Sequence, residues 1–275
     1  MKGAEMRASV GIIGLGGIGS TIAAALQSPD VEDRLRIAGV CVKSRHLDAA
    51  RRQLKEGIPL FDRIENLLGA GPDVIVESAG HEAVGLYGER ILDFGIDLVL
   101  ISTGALANEE LLERLRRAAS RTGARIYLPA GALGGIDALR AAVCAGVTTV
   151  RYRGRKPPVA WKGTPAEEVT DLDALRTARS VYRGNARAAA LQYPKNSNVA
   201  AIVALAGIGF DASEVELIAD PDITENQHEI EVQAVTGTFR ICMSGRTLAD
   251  SPKTSALAAY SVVRCLINRV SEIVF

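Results

Sequence analysis

The chain has 275 residues, 48% of them apolar, and its 32 basic residues are balanced by 32 acidic ones. This composition excludes a disordered or fibrous chain and fits one large or two ordinary domains around a substantial core. Zero formal net charge speaks against a nucleic-acid or membrane partner, which selects basic faces, with a local run such as Arg151 to Lys156 hidden in the total.

The four cysteines, Cys41, Cys144, Cys242 and Cys265, form no C-x-x-C pair and read as reduced, small apolar residues of a cytoplasmic protein. No charged N-terminal region precedes a long apolar run, so no signal peptide is expected. The longest apolar runs, such as Leu98 to Ile101, have strand length and fall well short of a membrane span.

The chain opens on a β-branched run ending at Ile13, then Gly14-Leu15-Gly16-Gly17-Ile18-Gly19, then a helix-favouring stretch from Ser20 to Leu26. Strand, G-x-G-x-x-G turn and helix in that order predict a dinucleotide site. Gly14 permits the tight turn, Gly16 lets a pyrophosphate approach the backbone, and Gly19 lets the helix lie against the strand. The helix N-terminus then faces the phosphates. The blander reading is a strand–helix turn that binds nothing.

Further strands are predicted at Leu35 to Val42, Asp73 to Glu77, Asp97 to Ser102 and Arg125 to Leu128. Helices are predicted at His46 to Leu54, Glu82 to Phe94 and Asn108 to Ser120, the last capped by Asn108 and closed by Gly123. Strands apolar on both faces that alternate with helices imply an α/β, Rossmann-type doubly wound parallel sheet. The alternation stops at Pro129 to Gly135. The expected division is therefore a dinucleotide-binding domain over 1–134 and an α+β catalytic and oligomerisation domain over 135–251. In the second domain, strands are predicted at Val147 to Arg153, Val215 to Ala219, His228 to Thr236 and Thr238 to Ser244, the last two joined by a hairpin at Thr236-Gly237. Helices are predicted at Ile136 to Ala145, Asp173 to Thr177, Asn185 to Leu191 and Ser197 to Ile208. A final helix, Lys253 to Arg269 within 252–275, is expected to pack back on the first domain.

Cofactor choice is read at the end of the second strand. An NAD-selective unit carries Asp or Glu there for the ribose 2′-hydroxyl. This chain has Lys43-Ser44-Arg45, with no carboxylate before Asp48. These residues suit a 2′-phosphate, so NADP is expected to be accepted or preferred beside NAD; the alternative is solvated loop charges. Ser78 and Ala79 after the third strand, and Thr103 and Gly104 after the fourth, occupy the carboxyl ends where ligands of open α/β sheets sit.

Among the three histidines, His46 reads as solvated and His81 as a capping or ribose-contacting residue. His228 opens an alternating strand, and an imidazole of ordinary pKa near 6.5 suits proton transfer; a structural role stands equally open. Lys253 reads either as a point charge for a substrate carboxylate or as a surface lysine. No metal spacing and no G-x-S-x-G elbow occurs, and no cysteine lies in the glycine-rich strand-end loops. Metal, serine-hydrolase and thiol chemistry therefore have no support.

Several stretches together resemble the L-aspartate dehydrogenases: the glycine turn, Pro129 to Ala138 (P-A-G-A-L-G-G-I-D-A), Tyr182 to Ala189 (Y-R-G-N-A-R-A-A), Pro194 to Ala201 (P-K-N-S-N-V-A-A), Asn226 to Ile230 (N-Q-H-E-I) and Ser251 to Ser255 (S-P-K-T-S). Members of that family feed iminoaspartate into NAD biosynthesis or interconvert aspartate and oxaloacetate. The resemblance implies that His228 is the active-site residue and that Ala132 and Asn198 contact the cofactor. It implies hydride transfer from Cα of aspartate to nicotinamide, then hydrolysis of iminoaspartate to oxaloacetate and ammonia, with His228 as acid/base and Lys253 on a carboxylate. Relatives often carry an acidic residue where this chain has Lys43, so their NAD preference is not carried over. A homoserine-type dehydrogenase or a non-catalytic NAD(P)-sensing protein are the competing readings. A homodimer is the expected assembly, through apolar strand residues around Val232 to Ile241.

Overall fold

The computed structural model describes residues 7–248 and 251–275, with the side chains of 251–253 outside the description. The chain divides into two compact units. One takes in residues up to Ser102, Asn108–Pro129 and Ala258–Phe275; the other takes in Thr103–Ala107 and Ala130–Leu257.

The first unit holds six strands: β1 (Ala8–Ile13), β2 (Leu35–Cys41), β3 (Leu60–Phe61), β4 (Val74–Glu77), β5 (Asp97–Leu100) and β6 (Ile126–Tyr127). Their order is β3-β2-β1-β4-β5-β6 and all pairs are parallel. This is the doubly wound order, in which the chain reverses direction across the sheet between β1 and β4. β4 is buried at every position, as a sheet covered on both faces requires. Helix Glu109–Thr122 begins where the Asn108 side chain accepts the Leu111 N–H and ends at Gly123 in the left-handed region. Helix Ala256–Asn268 buries Ala259, Val262 and Leu266 in the core beside Ile12, Ile22 and Val40.

The second unit is built on β7 (Val147–Lys156), β8 (Arg179–Asn185), β9 (Glu214–Ala219), β10 (Asn226–Ala234) and β11 (Gly237–Gly245), ordered β11-β10-β7-β9-β8. β7 and β9 are parallel and the other pairs antiparallel. β10 and β11 are joined by a two-residue turn, with Ala234 paired to Gly237. Alternate residues of β7 and β10 are buried, among them Val150, Tyr152, Ile230 and Val232. The intervening positions form a lattice of ion pairs: Arg151 with Glu214, Arg153 with Glu216, Glu229 and Glu231, and Arg240 with Glu229. Period-2 alternation thus separates an apolar face from a charged one.

Three local expectations change. Residues 173–177 are not helical, because the Asp171 carboxylate accepts the N–H groups of Asp173 and Ala174 and holds a turn instead. The last helix starts at Ala256 and not at 252 or 253. Ser251–Ser255 is extended and its two ends pair antiparallel with Thr247–Leu248, Ser255 with Thr247 and Ser251 with Leu248, and Pro252 lacks the N–H a helix ladder would use. β8, rich in arginine, is an edge strand whose short Ser180-Val181-Tyr182 centre shows little alternation. Among the described residues no helix is long and apolar enough to cross a membrane.

Candidate functional site

The glycine turn leaves β1 at the switch point. Gly14 has φ +86°, and a Cβ there would stand 2.9 Å from Ala79 Cα. A Cβ on Gly19 would stand 2.2 Å from the Gly14 carbonyl oxygen, so helix Gly17–Leu26 rests directly on the turn. Gly16 is different: it is exposed, and a Cβ there would meet nothing within 4 Å. The first intrahelical bond runs from Ser20 N–H to Gly16 C=O, so the amides of Gly17, Ile18 and Gly19 precede the ladder. Open space at Gly16 beside a helix N-terminus fits a dinucleotide pyrophosphate.

A cavity of about 430 Å³ opens here, lined by Gly14, Gly16, Ser78 and Ala79 on one side and by Lys43, Arg45 and His46 on the other. Its volume lies in the range of small-molecule sites. Two carboxylates share it. Glu82 Oε2 lies 3.5 Å from Lys43 Nζ, and Asp62 accepts a 2.9 Å hydrogen bond from Ser44 Oγ. Asp62 was invisible to sequence reasoning because β3 is only Leu60-Phe61, too short to show a period. The Val42 N–H donates to Phe61 C=O at 2.9 Å, and this places Asp62 at the end of β2. A carboxylate thus stands at the end of β2, contributed by the residue that follows β3. Cys41 also lines the cavity, but burial, aided by Asp62, pushes its thiol up to about 11, so it holds its proton.

Ser78 braces the turn: its hydroxyl lies 3.0 Å from the carbonyls of both Ile13 and Gly14. Next to it, buried Glu77 accepts from the N–H groups of Ala79, Gly80 and Ser102 and from the Ser102 hydroxyl, at 2.7–3.1 Å. Glu77 ties the ends of β4 and β5 together. Burial pushes its carboxyl up against the pull of these donors.

The remaining sequence-expected positions lie in the second unit. Thr103 Oγ1 donates to the Asn198 carbonyl at 2.8 Å, and the Gly104 N–H donates to Asn198 Oδ1 at 3.1 Å. Thr103, Gly104 and Asn198 therefore form one hydrogen-bonded group although 94 or 95 residues separate them. Ala132 is buried in the turn after β6, and the Gly134 N–H of that turn contacts Met243 Sδ. Met243 is the cross-strand partner of His228, so the glycine-rich turn and the N-x-H strand are neighbours.

His228 is buried. Its Nδ1 lies 2.7 Å from the Tyr152 hydroxyl, with the two rings stacked at 21°. Burial first, and the charge of Lys156 second, push its pKa down to about 3. An imidazole titrating near 6.5 is therefore not what this site holds; the group is neutral through the physiological range. Tyr152 and Lys156 are the neighbours of His228 that sequence reading missed. Their signal was only the alternation of β7, which places both on one face. Lys253 lies on the strand Ser251–Ser255, and its side chain is outside the described residues. Among the described residues no group of His, Cys, Asp or Glu is arranged to hold a metal ion.

Residues 14–129 match the family described as homoserine dehydrogenase, NAD binding domain, and residues 137–269 match aspartate dehydrogenase, C-terminal. Over 267 residues the chain is 44% identical to an L-aspartate dehydrogenase of Ralstonia pickettii, covering 96% of this chain and 98% of that protein. Over 264 residues it is 44% identical to one of Pseudomonas aeruginosa, covering 95% and 97%. The crystal structure of aspartate dehydrogenase from Thermotoga maritima superposes with a TM-score of 0.75 at 26% identity, covering 98% of this chain and 99% of that one. A hyperthermophilic archaeal homoserine dehydrogenase in complex with NADPH shares the fold, with a TM-score of 0.60 at 13% identity over 97% and 99%.

Proposed function

The chain belongs to the L-aspartate dehydrogenase family, and from that premise we propose that it catalyses the reversible, NAD(P)-dependent oxidative deamination of L-aspartate to iminoaspartate, which water converts to oxaloacetate and ammonia. The full-length likeness to L-aspartate dehydrogenases carries this reading. The open glycine turn at the switch point of the first unit supports the cofactor half of it. When bound, the nicotinamide ring supplies the hydride acceptor. The protein's own task is to hold the cofactor and the dicarboxylate in place. Gly14, Gly16, Gly17, Ile18 and Gly19 take the pyrophosphate; Lys43, Ser44 and Arg45, with Asp62, take the adenosine ribose. Ser78 and Ala79 line the same cavity. Thr103, Gly104, Ala132 and Asn198 complete the cofactor set, as the family resemblance implies.

His228 is the group assigned to the reacting end of the substrate, and Lys253 to one of its carboxylates. Buried His228, with Nε2 unpartnered among the described residues, supports its share of this assignment. The acid/base role first expected of it requires a proton to move at that atom. Both NAD and NADP are accommodated, since the cavity offers cations and carboxylates together. The assembly is a homodimer; the exposed edge of β11 supports this, because an unpaired strand edge is a natural pairing surface. The enzyme works in the cytoplasm, feeding NAD biosynthesis, a setting consistent with four free cysteines.

The decisive assay follows oxidation of NADPH and of NADH with oxaloacetate plus ammonia. Turnover there, and not with other keto acids, is expected. Tight cofactor binding without turnover of any acid would refute it. His228→Ala is expected to lower turnover at least a hundredfold while leaving cofactor affinity unchanged.

A further inference from the structure

The inner face of the five-stranded sheet is apolar through Val150, Leu217, Ile230 and Val232, then turns polar at one end. There Asn226 is 1% exposed, His228 3% and Lys156 5%. His228 stands opposite Gly154 in the β7–β10 register, and Lys156 is two residues further along the same face. Lys156 Nζ lies 6.0 Å from the centre of the buried Trp161 ring, which walls this end of the sheet. Among the described residues His228 Nε2 and Asn226 Oδ1 are buried without a hydrogen-bond partner. A native fold leaves few such atoms, because a buried polar group without a partner is costly. Of the two, His228 Nε2 beside a buried cation marks a place where an accepting ligand completes the hydrogen bonding, whereas Asn226 Oδ1 is an acceptor and calls for a donor.

The protons identify that ligand. Tyr152 Oη reaches His228 Nδ1 because residue 154 is glycine: a Cβ there would stand 2.7 Å from the hydroxyl oxygen. Among the described residues Nδ1 is the hydroxyl's hydrogen-bond partner, and burial holds the phenol in its protonated form. Two arrangements satisfy the 2.7 Å contact. If Nδ1 carries the imidazole proton and donates, the phenol proton is buried without an acceptor and Nε2 is a bare lone pair. If Tyr152 donates to Nδ1, the phenol and Nδ1 satisfy each other, and a single N–H remains, at Nε2. The second arrangement strands one buried group fewer, which favours it.

We propose that Tyr152 is a positioning residue that fixes His228 as its Nε2–H tautomer, so that His228 and the Lys156 ammonium together form a binding site for a carboxylate of the substrate. The site's identity as a substrate site rests on the dehydrogenase reading. Within that reading the proton on His228 Nε2 faces the substrate. A neutral N–H beside one cation matches a single carboxylate, which leaves the second carboxylate of a dicarboxylic acid to other groups.

The tautomer is read without substrate or turnover from long-range ¹⁵N–¹H correlations of the imidazole in the full-length protein at pH 7. The wild type should show a protonated Nε2 and a bare Nδ1; a protonated Nδ1 would overturn the proposal, and this measurement needs no variant. Tyr152→Phe should abolish the single-tautomer signature and raise KM for oxaloacetate about tenfold with NADPH affinity unchanged. Lys156→Met, which keeps the length and apolar stem, should raise that KM about a hundredfold. A KM within twofold of wild type in a folded Lys156→Met protein would refute the carboxylate site. If the wild type turns over no oxaloacetate, the dehydrogenase reading fails separately. Calorimetry of oxaloacetate binding to wild type and Lys156→Met then decides the site: equal affinity, or no binding to either, overturns it.

Discussion

Two glycines three residues apart in the same turn should respond to the same substitution in opposite ways. In Gly19→Ala the new methyl would stand 2.2 Å from the Gly14 carbonyl oxygen and 2.8 Å from Ser78 Oγ. The first obstacle is backbone, and the Ser78 hydroxyl is already engaged with the Ile13 and Gly14 carbonyls. Helix Gly17–Leu26 must lift off β1, and overpacking of this kind costs about 3 kcal/mol. In Gly16→Ala the methyl meets nothing within 4 Å, and the backbone at φ −77°, ψ −169° is open to alanine. The small loss of N-cap preference is offset by reduced freedom of the unfolded chain, so stability should change by less than about 0.5 kcal/mol. The methyl would, however, stand where a pyrophosphate approaches, and affinity for NADH and NADPH should fall about 10- to 100-fold, or about 1.4–2.8 kcal/mol. Urea unfolding measures the first quantity and nicotinamide fluorescence titration the second. A Gly16→Ala protein with wild-type cofactor affinity, or a Gly19→Ala protein with wild-type stability, would refute the assignment of one glycine to the ligand and the other to packing.

Cofactor choice should divide between opposed charges: Lys43→Asp is expected to lower the NADP/NAD ratio of kcat/KM about tenfold and Asp62→Asn to raise it by a similar factor, about 1.4 kcal/mol each way. An unchanged ratio in both would show that the loop charges are merely solvated. Glu77→Gln keeps a carbonyl oxygen for the three donors on Oε1 but turns an amide NH₂ toward the Ser102 N–H on Oε2, and urea unfolding should register a loss of about 1–3 kcal/mol. His228, lowered to about 3 in the folded state from an ordinary 6.5, makes the folded protein bind fewer protons than the unfolded chain. Its contribution is therefore complete above pH 6.5 and is lost as pH falls toward 3, at about 1.4 kcal/mol per unit. Unfolding free energies at pH 7 and pH 5 should differ by about 2 kcal/mol more in wild type than in His228→Asn, and equal differences would contradict the depressed pKa.

Much of the first unit is legible along the chain because its signals are local. A β-branched run, a glycine turn and a helix at residues 10–26 spell out a strand–turn–helix unit, and buried parallel strands announce themselves as short apolar runs. Asn108 and Gly123 bound their helix by hydrogen bonding and backbone geometry that need no distant partner. The N-x-H and S-P-K-T-S stretches point to the family through their residue order alone. Where local chemistry competes, as at Asp171, helix-favouring residues still fold as a turn.

What lines the two candidate sites was decided by the tertiary structure. Asp62 enters the cofactor cavity because a two-residue strand docks on β2, and a two-residue strand has no periodicity to read. Tyr152 meets His228 across 76 residues because β7 and β10 pair in one register. Alternation in β7 says that Tyr152, Gly154 and Lys156 share a face, but not which strand lies beside them. That choice is made by the burial of Val150, Ile230 and Val232 together, a property of the packed sheet and not of either strand. The same burial turned a histidine expected to titrate near neutrality into a neutral imidazole. Desolvation, and with it the chemistry His228 can perform, depends on what covers a side chain and not on its neighbours along the chain.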